Sequence, residues 1–258
     1  MTPDQQLTAY TLRLGDNALV LGQRMLELVA ASPELEEELA NANLALDYIG
    51  QARMYYSYAA EREGQGRSED DLAFLRHEHE FRNLLLLEQP NGHFGDTIVR
   101  QVLFDTFYQR QLAALISCGD ERLAEIAARA AKEVRYHLRH AERWLVRLGD
   151  GTADSHTRVQ QSLDHLWRYT GEMFAADELD EAMLAFISGP DLEVIEREWH
   201  HAIAAIVSEA TLELPSARGM AGGGKQGIHT EHFGYLIAEM QHLPVSYTHL
   251  TLPTTPYV

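Results

Sequence analysis

Residues 121–148, ERLAEIAARAAKEVRYHLRHAERWLVRL, decide the fold. Ile126, Ala130, Glu133, His137, His140 and Trp144 recur at steps of four and three, the period of one face of an α-helix. The stretch ends at Gly149-Asp150-Gly151, a helix stop. Its buried stripe turns polar midway, where an ordinary core would stay apolar. The preceding stretch, about 96–118, repeats both features: Ile98, Gln101, Asp105, Tyr108, Leu112 and Leu115 share one helical face.

Further out, helical signals continue and strand signals are nearly absent. Ser32 and Pro33 read as a cap and first helical residue before an acidic turn at Glu34, Glu36, Glu37 and Glu38. Leu35, Leu39, Ala42, Leu46 and Ile49 then predict a bundle seam on a helix reaching about Glu63, ahead of Gly64 and Gly66. Asn43, Asp47 and Gln51 stand beside that seam at four-residue steps. Further helices are expected over about 6–31, 70–89, 155–175, 178–187, 192–212 and 230–243. A glycine-rich loop is expected over 215–227. The fold class is therefore all-α: an up-down helix bundle with additional packed helices. Residues 1–244 read as one domain. Residues 245–258, VSYTHLTLPTTPYV, are Thr- and Pro-rich, uncharged and without helical period. They resemble a translated sequencing-library adapter and read as a non-native tail without fixed structure.

Composition narrows the function. The 258 residues are 45% hydrophobic, enough for one large domain. No apolar run is long enough to span a membrane, and MTPDQQLTAY is not a signal peptide. The lone cysteine, Cys118, fits a reducing compartment, so a cytoplasmic location is expected. A net charge of −18 argues against nucleic acid as a partner.

Buried charge is costly unless paired, so the polar seam residues are expected to meet one another. Glu133 with His137, and Asp47 with Gln51, stack on one face by spacing. Carboxylates and histidine inside a bundle suggest a metal. Diiron carboxylate bundles set one Glu on each of two helices and Glu-x-x-His on each of the other two. That spacing is absent here. Three residues after Glu133 comes Tyr136, three before His137 is Val134, and three after Asp47 is Gly50. Glu78 and Glu80 are followed at that distance by Phe81 and Asn83. Two readings stay open: a degenerate metal position held by hydrogen bonds and ion pairs among Asp47, Gln51, Asp105, Glu133 and His137, or a polar core with no metal ancestry. Neither gives a catalytic residue.

Other motifs carry less. His77, Glu78, His79 and Glu80 point around their segment and read as a solvated rim. At 229–232, Thr230 reads as a helix cap. GMAGGGKQ at 219–226 spells part of a phosphate loop, yet Gln226 stands where Ser or Thr is needed and no strand precedes it. Its glycines are expected to permit close backbone packing, leaving Lys225 to meet an acidic partner surface.

Five ordered blocks add a resemblance: LTAYTLRLGDNALVLGQR (7–24), ANANLALDYIGQARMYYSYAAE (40–61), FRNLLLLEQPNGHFGDTIVRQ (81–101), KEVRYHLRHAERWLVRLGDGT (132–152) and GGGKQGIHTEHFGYLIAEMQ (222–241). Together they resemble the C-subunit family of the bacterial phenylacetyl-CoA epoxidases. The resemblance implies a ferritin-like fold and a multicomponent monooxygenase that epoxidises the ring of phenylacetyl-CoA. It implies a homologous catalytic A subunit holding the diiron centre, a reductase among the further components, and a structural role for this chain with no cofactor of its own. Asp47, Glu133 and His137 would then occupy the degenerate site. The competing expectations are an active diiron oxygenase with irregular ligands and a storage bundle acting alone.

Overall fold

The computed structural model describes residues 1–29, 32, 34–216 and 219–250, with the backbone alone at 243 and 245–250. The architecture is all-α and ferritin-like, with no strand among the described residues. Four long helices form the bundle: α1 (Pro3–Leu26), α2 (Leu35–Glu63), α5 (Phe94–Ile116) and α6 (Glu121–Gly149). Between the two pairs lie α3 (Glu69–Phe74) and α4 (Leu85–Glu88); after them come α7 (Ala153–Trp167), α8 (Gly171–Phe174), α9 (Glu178–Ile187), α10 (Leu192–Glu209) and α11 (Glu231–Leu250).

The first pair packs closely because glycines let it. A side chain at Gly15 would collide with the Tyr56 ring, and one at Gly22 with Ile49, so α1 and α2 run antiparallel at short range. Asp120 caps α6 by accepting from the Leu123 amide, which fixes the tight link from α5. The α5–α6 pair then packs across the first. Trp199 on α10 anchors the outer helices by donating its indole N–H to the Leu103 carbonyl at 2.9 Å.

Five expectations need correction. The seam forecast on α2 holds at Ile49, which packs against α1 at Gly22, and fails at Leu35, Leu39 and Leu46, which are exposed, while Leu44, Tyr48, Gln51, Tyr55 and Ala59 are buried. The same period runs through both sets, and the chain buries the tyrosines because buried acids await their hydroxyls. The helix expected over 70–89 breaks into α3, a 3-10 turn at Glu78–Glu80 and α4. Its backbone N–H groups are taken by distant side chains: Arg82 N–H by Asp16 at 2.8 Å, Leu84 N–H by Asn17 at 2.9 Å, and Leu85 N–H by Glu172 at 2.7 Å. The helix expected over 155–175 stops at Trp167, and α8 follows separately, with Gly171 pressed against the Gly219 carbonyl. Finally, α11 continues to Leu250, beyond the expected end at 243. Pro244 lies inside it and removes one backbone donor without ending the helix. The tail at 251–258, and Ala30, Ala31 and Pro33, lie outside the described residues. Ser32 does not cap α2: its hydroxyl donates to the Leu28 carbonyl, and Glu34 holds the N-cap without a side-chain bond.

Candidate functional site

The polar stripes of α2, α5 and α6 converge in the bundle interior. His137 on α6 is fully buried, and its Nε2 lies 2.9 Å from Asp47 Oδ2 on α2. Gln51, one turn further along α2, donates its amide to Glu133 Oε2 at 2.9 Å. Tyr108 on α5 donates to Gln51 Oε1 at 3.1 Å, and Tyr55 lies 3.1 Å from the Tyr108 hydroxyl. Since the Tyr108 proton is committed to Gln51, Tyr55 is the donor in that last contact. The result is a directed chain, Tyr55 to Tyr108 to Gln51 to Glu133. A second branch joins Tyr48 to Asp105, whose Oδ1 accepts the phenol at 2.5 Å. The Tyr48 ring also lies against His137, with centroids 4.8 Å apart.

Electrostatics separate these groups. Asp105 is wholly buried, and desolvation pushes its carboxyl up to about 7, opposed by the nearby His137 imidazole and the Tyr48 hydrogen bond. Its Oδ2 has no hydrogen-bond partner, nor does His137 Nδ1. Burial raises the Tyr48 and Tyr108 phenols well above the ordinary range, Tyr48 further by the charge of Asp105 and Tyr108 by neighbouring Tyr55. Both phenols therefore stay protonated donors.

Sequence spacing thus brought together Asp47, Gln51, Asp105, Glu133 and His137, but with different pairings from those expected. His137 meets Asp47 across helices rather than Glu133 along its own. Asn43 is exposed and takes no part. Tyr48, Tyr55 and Tyr108 were missed as network members, except Tyr108 as a seam residue. The signal was present: tyrosines on a buried face need hydroxyl partners, and acids on facing helices supply them.

The donors present do not fit a carboxylate-bridged metal pair. Glu133 spends one oxygen on the Gln51 amide and faces Arg129 at 3.5 Å with the other. Among the described residues, no three His, Cys, Asp or Glu side chains group closely enough to hold a metal ion.

Lys225 requires correction. It is buried, and its ammonium pairs with Asp180 Oδ2 at 2.9 Å and donates to the Ala175 carbonyl at 2.9 Å, so it is consumed inside the chain rather than offered to a partner. The surrounding glycine loop does form an anion nest, yet Glu172 fills it, accepting from the Gly223 and Gly224 amides at 2.9 and 2.7 Å. Gly224 also packs against the Asn83 carbonyl, where no side chain could fit. A second polar network went unread. Glu88, fully buried, sits 2.6 Å from His229 Nδ1 and accepts from Asn83 and from both the amide and hydroxyl of Thr230. The Thr230 hydroxyl is thus bound to Glu88 just ahead of α11.

A family model described as "Phenylacetic acid catabolic protein" matches residues 1–251. The C subunit of the 1,2-phenylacetyl-CoA epoxidase of Escherichia coli (strain K12) is 50% identical over 238 residues, which is 92% of this chain and 96% of that protein. The chain belongs to the phenylacetic acid catabolic protein family.

Proposed function

We propose that this member of the family is a metal-free structural subunit of a phenylacetyl-CoA epoxidase, paired with a homologous subunit that carries the diiron centre and performs the chemistry. One observation carries the reading: Gln51 binds Glu133, Tyr48 binds Asp105 and His137 meets Asp47, and no three His, Cys, Asp or Glu side chains among the described residues group closely enough to hold a metal ion. The name of the Escherichia coli relative supports the assignment to that complex. In this role the polar network has a structural task. Each hydrogen bond is satisfied in one register of α2, α5 and α6, so the network selects that register over an apolar core that tolerates sliding. The chain then presents a rigid outer surface to its partner, while a reductase supplies electrons to the partner's metal.

The test is metal analysis of the purified chain alone and of the co-expressed complex, with epoxidation assayed for each. Substoichiometric iron and no turnover in the chain alone, with iron and turnover in the complex, is the expected result. Two irons per copy of this chain, or epoxidation by the chain alone with a reductase, would overturn it.

A further inference from the structure

Three buried polar side chains surround the Tyr48 phenol and are incompletely matched. Asp105 and His137 are wholly buried, and Gln101 is 2% exposed. Asp105 Oδ2, His137 Nδ1 and both amide atoms of Gln101 have no hydrogen-bond partner among the described residues. Tyr48 gathers the three. Its hydroxyl donates to the other Asp105 oxygen at 2.5 Å, its ring lies 4.8 Å from that of His137, and Gln101 stands beside its phenol. Gln101 and Asp105 are one turn apart on α5, so their side chains leave the helix on one face. The unmatched atoms therefore border one place, between α2, α5 and α6.

The chemistry of these atoms narrows what can sit there. The neutral His137 ring donates from Nε2 to the Asp47 carboxylate at 2.9 Å, which leaves Nδ1 an acceptor. The Gln101 amide offers donors on Nε2 and an acceptor on Oε1, and Asp105 accepts when ionised and donates from one oxygen when protonated. An occupant must therefore donate to the imidazole and accept from the amide. An anion only accepts. A metal ion accepts nothing, so the Gln101 N–H groups would stay unmatched. A water molecule does both, and buried water takes about two to four such partners. Leaving the same atoms dry would strand donors and acceptors in the core, where each is costly.

We infer that Gln101, Asp105 and His137 bind one ordered water molecule inside the bundle, held between Asp105 Oδ2, His137 Nδ1 and the Gln101 amide. The water joins two branches of the network that no side chain connects. Tyr48 with Asp105, and His137 with Asp47, become one hydrogen-bonded path running from α5 through α6 to α2. Asp47 stands at its outer end, where its carboxylate reaches solvent. The site belongs to this chain alone and holds whether or not the chain is a subunit.

The test is a crystal structure of the full chain at a resolution that shows ordered solvent, with anomalous data at the iron and zinc edges. Magnetic relaxation dispersion of solvent oxygen, which counts long-lived internal waters, repeats it in solution. One peak is expected within about 2.7–3.2 Å of Asp105 Oδ2, of His137 Nδ1 and of a Gln101 amide atom, without anomalous signal. Asp105→Leu and Gln101→Leu, similar in volume but apolar, are each expected to lose one long-lived water. Asp105→Asn keeps a donor and an acceptor and is expected to retain it. The wild-type crystal structure and the Asp105→Asn variant serve if a leucine variant does not fold. An anomalous peak at the site would make the occupant a metal ion and overturn the assignment. Direct bonds among the three side chains with no peak between them would overturn it too, as would a water count unchanged in the leucine variants.

Discussion

Asp16 on α1 and Asp105 on α5 are both wholly buried carboxylates, and the chain treats them in opposite ways. Asp16 is saturated. Arg76 reaches it with two nitrogens, the Tyr56 hydroxyl donates at 2.6 Å, and the Arg82 amide donates at 2.8 Å. Its charge is matched by a cation that is itself buried against the Phe81 ring. Asp105 receives one phenol, has no guanidinium or ammonium against it, and leaves Oδ2 without a partner. The first is a staple that fastens the irregular 75–83 segment to the bundle. The second is the centre of the candidate site, and its cost is met by holding a proton. Identical side chains at identical depth thus tell apart a structural ion pair and a carboxyl without a countercharge.

The comparison breaks most sharply at Arg76. Arg76→Ala strands Asp16 as an uncompensated buried charge and is expected to cost about 3–5 kcal/mol in denaturant unfolding. A cost below about 1 kcal/mol would mean that Tyr56 and the Arg82 amide suffice, and the two carboxylates would no longer differ in kind.

Asp105 gives the next largest effect, and pH controls its sign. Its folded value of about 7 lies above the ordinary value near 3.9 of an unfolded aspartate. Between those limits the folded chain keeps a proton that the unfolded chain has released. Its contribution is therefore full below about pH 4 and is lost as pH rises through about 7. Asp105→Asn resembles the protonated carboxyl at every pH. It is expected to remove that decline and to exceed wild type by up to about 4 kcal/mol at pH 8, with little difference at pH 4. Parallel stability curves for the two proteins across pH 4–8 would show that Asp105 is ionised in the fold and compensated as Asp16 is.

His137 sharpens the picture within the site. His137→Ala removes a buried ring from Tyr48 and the partner of Asp47, at an expected cost of about 1–3 kcal/mol. A double-mutant cycle with Asp47→Ala is expected to return a coupling of about 0.5–1 kcal/mol, modest because the Asp47 side chain is 41% exposed. A cycle pairing Asp47 with Glu133 is expected to give less, since they sit on separate branches. The smallest effect belongs to His79→Ala, on the exposed rim, within about 0.5 kcal/mol of wild type. Equal losses at His137 and His79 would remove His137 from the network.

Much of the site was legible in the sequence, and part was not. The stripes on α5 and α6 placed Asp105, Glu133 and His137 inward, because a buried helix repeats every 3.6 residues whatever surrounds it. On α2 the same method chose Leu35, Leu39, Ala42, Leu46 and Ile49, and the three leucines are exposed while Ile49 packs against the core. Aliphatic periodicity measures where leucines agree with each other, and here they agree on a face turned to solvent. The tyrosines that form the true core on α2 look amphipathic until the acids opposite them are known.

The sequence by itself determined the all-α bundle, the inward polar stripes, the missing Glu-x-x-His spacing and the family, because each depends on local period or on ordered blocks of residues. Tertiary structure alone decided which face of α2 is buried, that His137 pairs with Asp47, that Lys225 and Glu172 are spent inside the chain, and that the 70–89 segment is broken. Those outcomes rest on partners 45 to 90 residues away in the chain. A hydrogen bond to a distant carboxylate outcompetes the local helix wherever burial removes water as the alternative.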